Sequence, residues 1–282
     1  MNVSDIRKYY KYSQWFYNVF YSYRNSGSMH HGIWIDNVKN LKEACEKTNQ
    51  IVIDKTKITK SSLVLDAGCG IAGTAIYIAK NTGAKVNGIS ISPLQVKEAQ
   101  KQVSKNNLNE LVKISQQNYT KTNFADNTFD VVYALESACY AYPKKDFTNE
   151  VFRILKPGGK LVISDGYIKT LKLNNEEKEM LEAFKKAFVL DYFGTGEEMT
   201  KALKKSGFKI KSIEDYSNEV LPTVTHLDSL RKKLSPIINL CKYIAHPFTQ
   251  AGYQNALAVK SEAYFMKTGH IKYYIHLAQK PK

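Results

Sequence analysis

The sequence predicts an α/β fold in which a mainly parallel sheet is covered by helices. Short apolar runs alternate with helical patterns between Ser62 and Asp165, which is typical of βαβ units. A glycine-rich turn from Gly68 to Gly73 directly follows a predicted buried strand. Two later segments, Phe208–Tyr216 and Tyr273–Gln279, alternate in polarity like a further pair of strands. We therefore expect one integrated domain built around a single sheet.

The N-terminal segment predicts a helical cap. Its aromatic side chains make one helix apolar on more than one face, so that helix either docks on the edge of the domain or covers a pocket. These side chains are Tyr9, Tyr10, Trp15, Phe16, Tyr17, Phe20 and Tyr21. The loop Ser28–Trp34 follows with two adjacent histidines, and an amphipathic helix over Asn37–Asp54 leads into the sheet. We assign residues 1–60 to the cap, 61–170 to the core, and 171–282 to a lid and the last two strands.

The glycine-rich turn predicts a nucleotide-like ligand. Strand Leu63–Asp66 runs into Gly68, Gly70 and Gly73, which allow a tight turn and a close approach of the backbone to a ligand at a helix start. A dinucleotide site also needs an acid at the end of the second strand, Lys85–Ile91, and none is present there. The alternative is a turn that only serves the fold.

The remaining core elements follow in order. The expected elements are helix Ile71–Lys80, helix Pro93–Lys105 with Ser92 as its cap, strand Leu111–Gln117, strand Phe129–Leu135, a turn at Lys156–Gly159 and strand Lys160–Asp165. Helices Glu176–Leu190 and Glu197–Ser206 come next. The stretch before the last strand is far longer than a hairpin needs, which predicts a helical lid. Its helical stripe is Leu227, Leu230, Leu234, Ile237, Ile238 and Cys241, and its expected pocket aromatics are Phe248, Tyr253, Tyr264 and Phe265.

Composition narrows the class of protein. The chain has 282 residues, no apolar run long enough for a membrane span or a signal peptide, and four widely spaced cysteines, so we expect a metal-free cytoplasmic protein. The net charge of +15 suits an anionic membrane surface, a phosphorylated substrate or nucleic acid. The lysines are scattered, however, so a solvated surface is the preferred interpretation, and the charged run Arg231–Lys233 is expected to be solvated as well. Nucleic acid is the least favoured partner, and the oligomeric state is not readable.

The letters VLDAGCG, with Asp66 two residues before the first glycine, resemble motif I of class I S-adenosylmethionine (SAM)-dependent methyltransferases. The resemblance implies a Rossmann-like seven-stranded sheet with a helical cap and a helical lid inserted before the last strand. It also implies SAM as cofactor, with S-adenosylhomocysteine as the product. HHGIW at His30 and ESACYAYP at Glu136 are similar to motifs of sterol- and tocopherol-type small-molecule C-methyltransferases, and more distantly of cyclopropane fatty acid synthases.

The resemblance implies a set of cofactor contacts at the ends of the first strands and in the histidine loop. These residues are His30, Asp66, Gly68, Cys69, Gly70, Ser90, Ile91, Gln95, Asn118 and Tyr119. Gln95 takes the place of the missing ribose acid, since the family's motif has a glutamine at the start of this helix. Asn118 stands where related enzymes have an aspartate for the adenine amino group, and its amide oxygen can accept the same hydrogen bond.

Three residues are the catalytic candidates: Glu136, His31 and Tyr140. Glu136 directly follows a predicted strand. It is therefore expected at the carboxyl ends of the parallel strands, where ligands bind in doubly wound folds. Tyr140 replaces a histidine of the sterol pattern. We expect methyl transfer to a small lipophilic acceptor, most simply C-methylation of an isoprenoid or prenylated compound. The open alternatives are an N- or O-methyltransferase of a small amine or phenol, a cyclopropane-forming lipid methyltransferase, and a non-catalytic SAM-binding protein.

Overall fold

The computed structural model describes residues 3–20, 28–170, 172–241, 243–244 and 246–282, with side chains for all of these except 3–4 and 14–20. Five predicted cap aromatics lie outside the described side chains: Trp15, Phe16, Tyr17, Phe20 and Tyr21. Within the described part of the chain, none of the helices has the length and apolar character needed to cross a bilayer.

Helices and strands alternate along the chain as the sequence predicts, with helices concentrated at both ends. In order they are α1 (Val3–Phe20), α2 (Leu41–Thr56), β1 (Leu63–Ala67), α3 (Gly73–Thr82), β2 (Lys85–Ser90), α4 (Pro93–Lys105), β3 (Val112–Gln116), β4 (Phe129–Leu135), a 3₁₀ turn (Ala138–Tyr140), α5 (Lys144–Ile154), β5 (Leu155–Ile168), α6 (Asn175–Ala187), α7 (Gly196–Lys205), β6 (Lys209–Asp215), α8 (Ser217–Lys233), α9 (Ser235–Cys241), α10 (Pro247–Lys267) and β7 (Ile271–Gln279).

The seven strands form one sheet in the order β3-β2-β1-β4-β5-β7-β6. Strands β1 to β5 pair in parallel, and β7 runs antiparallel to both β5 and β6. The predicted turn at Lys156–Gly159 is wrong, because these residues lie inside β5. Gly158 has φ +83° and its N–H donates to the Lys280 carbonyl, so a local irregularity is absorbed within the strand and does not end it.

Helix α1 packs against α10 through buried polar contacts. The Tyr9 hydroxyl donates to Asn255 Oδ1 at 2.9 Å, and Asn255 Nδ2 donates to Ser13 Oγ at 2.9 Å. Tyr9 and the fully buried Leu227 of α8 share one apolar cluster. The predicted stripe over the insertion is confirmed for Leu227, Leu230, Leu234 and Ile238, which share this cluster. Ile237 departs from it and is 63% exposed, because a new helix begins at Ser235.

The loop Ser28–Trp34 is fixed between α2 and α8. The Ile33 N–H donates to the Ala44 carbonyl at 3.1 Å, and Trp34 Nε1 donates to Thr223 Oγ1 at 2.9 Å. A Cβ on Gly32 would lie 2.4 Å from the Ala44 Cβ, so only glycine allows this approach to α2. The loop is thereby held across the carboxyl ends of the parallel strands.

Candidate active site

A cavity of about 1430 Å³, including its open mouth, lies over the carboxyl ends of the parallel strands. Its wall is drawn from all parts of the described chain: α1, the histidine loop, the glycine turn, the ends of β2, β4 and β5, and helices α6 and α10. Ligands of doubly wound sheets bind at this edge. The position agrees with the sequence-based expectation of a ligand beside the glycine turn.

The glycine turn forms one end of the cavity. Gly68 has φ +109° and Gly70 has φ +52°, and a Cβ on Gly68 would lie 2.4 Å from the Ser137 Cβ. The N–H groups of Gly68 and Cys69 both donate to the Ile89 carbonyl, so they serve the fold. Among the described residues, no acceptor is bound to the N–H groups of Gly70 and Ile71, and these are the ones available to a ligand.

Asp66 lies at the same end and is buried. Its Oδ2 accepts a hydrogen bond from the Tyr133 hydroxyl at 2.8 Å. Burial raises the pKa of Asp66 to about 7, although the Tyr133 bond favours the charged form. A carboxyl group with this pKa changes its protonation state readily near neutral pH, for example when a ligand brings a hydrogen-bond donor to it.

The start of α4 places Ser90, Ile91 and Gln95 in the cavity wall. Ser92 Oγ accepts the Gln95 N–H at 3.4 Å, which confirms Ser92 as the helix cap. The Ser90 hydroxyl donates to Gln95 Oε1 at 2.8 Å, so the glutamine is fixed with its Nε2 available as a donor to a ligand. Within the described part of the chain, Nε2 donates only to the weak acceptor Met29 Sδ, at 3.8 Å.

Asn118 is placed differently from its predicted role. It is exposed, it does not line the cavity, and its Oδ1 accepts hydrogen bonds from the Thr120 N–H and hydroxyl. The neighbouring Gln117 is in the wall instead. The physical reason is a local one: an asparagine followed two residues later by threonine closes its own turn. Tyr119 does line the cavity, with its hydroxyl donating to the Ser137 carbonyl at 2.8 Å.

His30 lies in the wall with both ring nitrogens engaged by the protein. Nδ1 is 2.9 Å from the His31 carbonyl oxygen and Nε2 is 3.0 Å from Asn49 Oδ1. Burial lowers the pKa of His30 below its ordinary value. The geometry therefore gives His30 a part in shaping the loop, and the predicted cofactor contact remains a prediction.

Glu136 lies in the cavity wall immediately after β4, with φ +49°. Its Oε1 accepts three hydrogen bonds: from the His31 N–H at 2.6 Å, from His31 Nδ1 at 2.8 Å and from the Tyr273 hydroxyl at 2.8 Å. Among the described residues, no donor is bound to Oε2. Burial opposes ionisation, but the His31 charge and hydrogen bonds outweigh it and hold the pKa of Glu136 below its ordinary value.

His31 lies between two carboxylates. Besides its contact with Glu136, its Nε2 is 3.2 Å from Glu262 Oε1 on α10. Burial disfavours the imidazolium, yet Glu136 and Glu262 together raise the pKa of His31 well above its ordinary value. The pair His31 and Glu136 is therefore ionised at neutral pH, and the structure brings together two of the three predicted catalytic residues.

Tyr140, the third candidate, lies in the same half of the cavity at the end of the 3₁₀ turn. It is hydrogen-bonded to Tyr10 of α1, and burial raises the pKa of Tyr10 to about 12. Both tyrosines line the cavity, so the cap helix contributes to the wall as expected. The predicted lid aromatics do not line it, because they point elsewhere on α10: Phe248, Tyr253, Tyr264 and Phe265.

Several wall residues had been assigned to the core or were not singled out. Helix α6 and the segment after it contribute Phe184, Phe188 and Phe193, whose rings meet edge to face at 5.0 and 5.1 Å. Asp165 ends the predicted fifth strand, accepts the Cys139 and Gly166 N–H groups, and has its pKa raised to about 7 by burial. Its position after a parallel strand was a signal that could have identified it.

The cavity fits SAM on its own features. The glycine turn exposes backbone where a Cβ would intrude, and Gln95 offers a buried amide. Carboxylates and aromatic rings at the opposite end leave room for a second, largely apolar molecule.

Comparisons with known proteins agree with this geometry. Residues 65–163 match the family described as a methyltransferase domain. SAM is the methyl donor of this family, which confirms the predicted cofactor at the level of the domain.

Two curated relatives are methyltransferases. "Methyltransferase phqN" of Penicillium fellutanum is 34% identical over 57% of this chain and 50% of its own length. "Sterol 24-C-methyltransferase ERG6" of Saccharomyces cerevisiae is 29% identical over 84% of this chain and 64% of its own length. The match thus spans half to two thirds of the length of these two relatives.

Among solved structures, the cyclopropane synthase MmaA2 of Mycobacterium tuberculosis superposes with a TM-score of 0.84 at 16% identity, over 99% of both chains. At this identity the likeness concerns the fold. It confirms the predicted seven-stranded class I methyltransferase fold.

Proposed function

We propose that this chain, whose residues 65–163 match a methyltransferase-domain family, transfers a methyl group from SAM to a carbon atom of a small lipophilic acceptor. An isoprenoid or prenylated compound is the class that the cavity suits best. The observation that carries the proposal is Glu136: an ionised, half-buried carboxylate in an aromatic cavity that also borders the glycine turn.

The chain's first task is positioning. When bound, SAM supplies a methyl group on a positive sulfonium, and transfer is an in-line displacement that needs the acceptor atom about 3 Å away and aligned. The glycine turn, Asp66 and Gln95 hold one partner, and the aromatic half of the cavity holds the other. Helix α1 and helix α10 cover this half, which keeps water from the reacting atoms.

The second task is to accept a proton. Methylation of a carbon–carbon double bond leaves a carbocation on the acceptor, whose neighbouring C–H is acidic enough for a carboxylate of low pKa to deprotonate. Oε1 of Glu136 is saturated by three donors, so Oε2 is the oxygen proposed to take the proton. Tyr10, Tyr140 and the α6 phenylalanines would stabilise the cation through their ring faces.

A small amine is the second candidate acceptor, favoured by three of the four carboxyl groups in the wall: Glu136, Asp165 and Glu262. However, most of their negative charge is already neutralised. His31 faces both glutamates, and the pKa of Asp165 near 7 reduces its ionisation. The site is therefore less suited to a cation than the number of acids implies.

The predicted cytoplasmic location stays a prediction that rests on the cysteine pattern.

The test is a transfer assay with methyl-labelled SAM and a panel of acceptors: sterols, prenyl diphosphates, tocopherol-type quinols, unsaturated phospholipids and small amines. We expect label in an organic-soluble isoprenoid product in which the new bond is carbon to carbon by NMR. A Glu136→Gln variant assayed with the same acceptor is expected to lose this product.

Other outcomes would overturn the proposal in distinct ways. Label only in amines or phenols would identify an N- or O-methyltransferase, and a cyclopropane in phospholipid would identify a lipid-modifying enzyme. Tight SAM binding with no transfer to any of the five acceptor classes would favour a non-catalytic SAM-binding protein.

A further inference from the structure

Large apolar side chains are exposed together on one short region of the helical insertion before β7. Five of the nine exposed large hydrophobic residues of the described chain lie within twelve positions, and we call this set the α9 patch: Ile237, Leu240, Tyr243, Ile244 and Phe248. Ile237, Leu240 and Tyr243 are 63%, 62% and 78% exposed. The four others are scattered singly over the surface, which is ordinary, whereas a contiguous patch is not.

The architecture of α9 does not explain this exposure. The helix has seven residues, and none of them is buried. Ile237 and Leu240 are three positions apart, so they share one face of the helix. Only Ile238, on another face, packs against the apolar cluster of Tyr9 and Leu227. The helix therefore rests on the protein by one side and presents apolar side chains on the other.

The chain segment that carries the patch has an excess of positive charge. The segment Ser229–Ser261 contains no aspartate or glutamate, and its five cations are Arg231, Lys232, Lys233, Lys242 and Lys260. Arg231 and Lys232 both pair with Asp228, at 2.8 and 3.0 Å, so one carboxylate is shared by two cations. Lys11 of α1 lies over the Tyr12 ring, and that ring meets Phe248 edge to face at 5.1 Å. The patch is thus bordered by net positive charge.

We propose that the α9 patch is a docking surface for a lipid bilayer that contains anionic lipids. Exposed aliphatic and aromatic side chains flanked by lysines are what an interfacial segment needs: apolar groups enter the headgroup region while cations meet the lipid phosphates. The inference goes beyond the proposed function and stands whichever acceptor is methylated. The side chains of Arg231–Lys233, which the sequence analysis expects to be solvated, would then be fully solvated only when the protein is not bound to a membrane.

The docking surface adjoins the candidate active site through α1. The same helix that contacts Phe248 through Tyr12 contributes Ile6 and Tyr10 to the cavity wall. A bilayer bound at the α9 patch would therefore hold the cap side of the cavity near the membrane. A lipophilic acceptor could then reach the cavity with little exposure to water.

The test is co-sedimentation of the full chain with vesicles of phosphatidylcholine alone and of phosphatidylcholine mixed with phosphatidylserine. We expect binding to the mixed vesicles, weakened by salt, and little binding to phosphatidylcholine alone. The double substitution Ile237→Glu and Leu240→Glu is expected to reduce affinity for the mixed vesicles by about tenfold or more. Both side chains are exposed, so the fold should be preserved, and circular dichroism checks this.

Ile213→Glu is the matched control, because Ile213 is a 44% exposed isoleucine on the edge strand β6. It should bind vesicles like the wild type. Absence of wild-type binding, equal loss in the control, or binding unaffected by the double substitution would each overturn the proposal. So would a concentration-dependent dimer, seen by light scattering, that the double substitution converts to monomer, since the patch would then join two copies of the chain.

Discussion

Glu136 combines an unusual backbone with an unusual set of partners. Its φ of +49° is uncommon for a residue other than glycine, and its N–H donates to the Ser164 carbonyl on β5. Backbone strain of this kind persists only where the surroundings hold it in place. Here His31 and Tyr273 hold the carboxylate from two distant parts of the chain. Such a constellation is more typical of a functional site than of a structural carboxylate.

Glu136→Gln keeps the size of the side chain, but its amide cannot accept the proton that leaves the C–H of the methylated acceptor. We expect the SAM dissociation constant to change by less than about twofold and turnover to fall by about 100-fold or more, the range of a general base. Calorimetry and initial rates measure the two quantities. Glu197→Gln, at an exposed residue paired with Lys201, is the control and should leave both unchanged. Turnover close to that of the wild type would remove Glu136 from catalysis.

Stability should depend on pH through His31. Its contribution is fully present below the unfolded pKa of about 6.5 and declines above it, because the folded protein retains the proton to higher pH than the unfolded chain does. Glu136 has the opposite sign: its contribution is present above its ordinary pKa of about 4.3 and is lost as pH falls through its lowered folded pKa.

We therefore expect the free energy of unfolding, measured with urea between about pH 6 and 9, to decline less steeply in Glu136→Gln than in the wild type. The exposed His226 serves as control, since His226→Gln should keep the wild-type slope. Equal slopes in the wild type and Glu136→Gln would show that the two side chains are not coupled.

At the scale of elements, the histidine loop decides how the site is assembled. Gly32 lets the loop lie against α2, and its carbonyl accepts a hydrogen bond from Thr223 of α8. Thr48 of α2 also donates to the His31 carbonyl at 3.1 Å. His31 is consequently placed by two helices that are far apart in sequence, and a shift of either helix would move it relative to Glu136.

Gly32→Ala should destabilise the protein by about 1–3 kcal/mol. A Cβ at this position would lie 2.4 Å from the Ala44 Cβ and 2.8 Å from the Ala44 carbonyl carbon, so trimming Ala44 to glycine should restore only part of the loss. Urea denaturation measures the free energy of unfolding. Gly166→Ala is the control, because its nearest atom would be 3.7 Å away. Equal stability of the two variants would mean that the loop is not tightly packed on α2.

At the scale of the whole molecule, the cavity joins segments from Ile6 to Tyr273, so a ligand bound in it bridges parts of the chain that are distant in sequence. SAM at about 100 times its dissociation constant should raise the free energy of unfolding by about 2.7 kcal/mol. NAD⁺ is the control ligand, since the end of β2 offers Ser90, Ile91 and Ser92 and no acid for a dinucleotide ribose. Thermal unfolding measures both, and comparable stabilisation by NAD⁺ would contradict the cofactor assignment.

Elements with a strong local pattern were predictable. Strand β4 spans Phe129–Leu135 and α4 spans Pro93–Lys105, both as expected, because apolar periodicity and the Ser92 cap are local signals. Asn118 was placed wrongly because its own turn competed for its side chain. Tyr273 was expected only as a strand residue, since nothing in an alternating pattern tells which hydroxyl meets a carboxylate across the sheet.

The sequence by itself determined the class I sheet and the glycine turn. It also showed that a methyltransferase motif and Glu136 occur in the same chain. These rest on periodicity and on residue types at short spacing, which act within a few positions of the chain. Only the tertiary structure decided that Glu262 faces His31 and that Phe184 and Phe188 line the cavity. Such contacts depend on how distant helices pack, and packing is settled by the shape of the whole molecule.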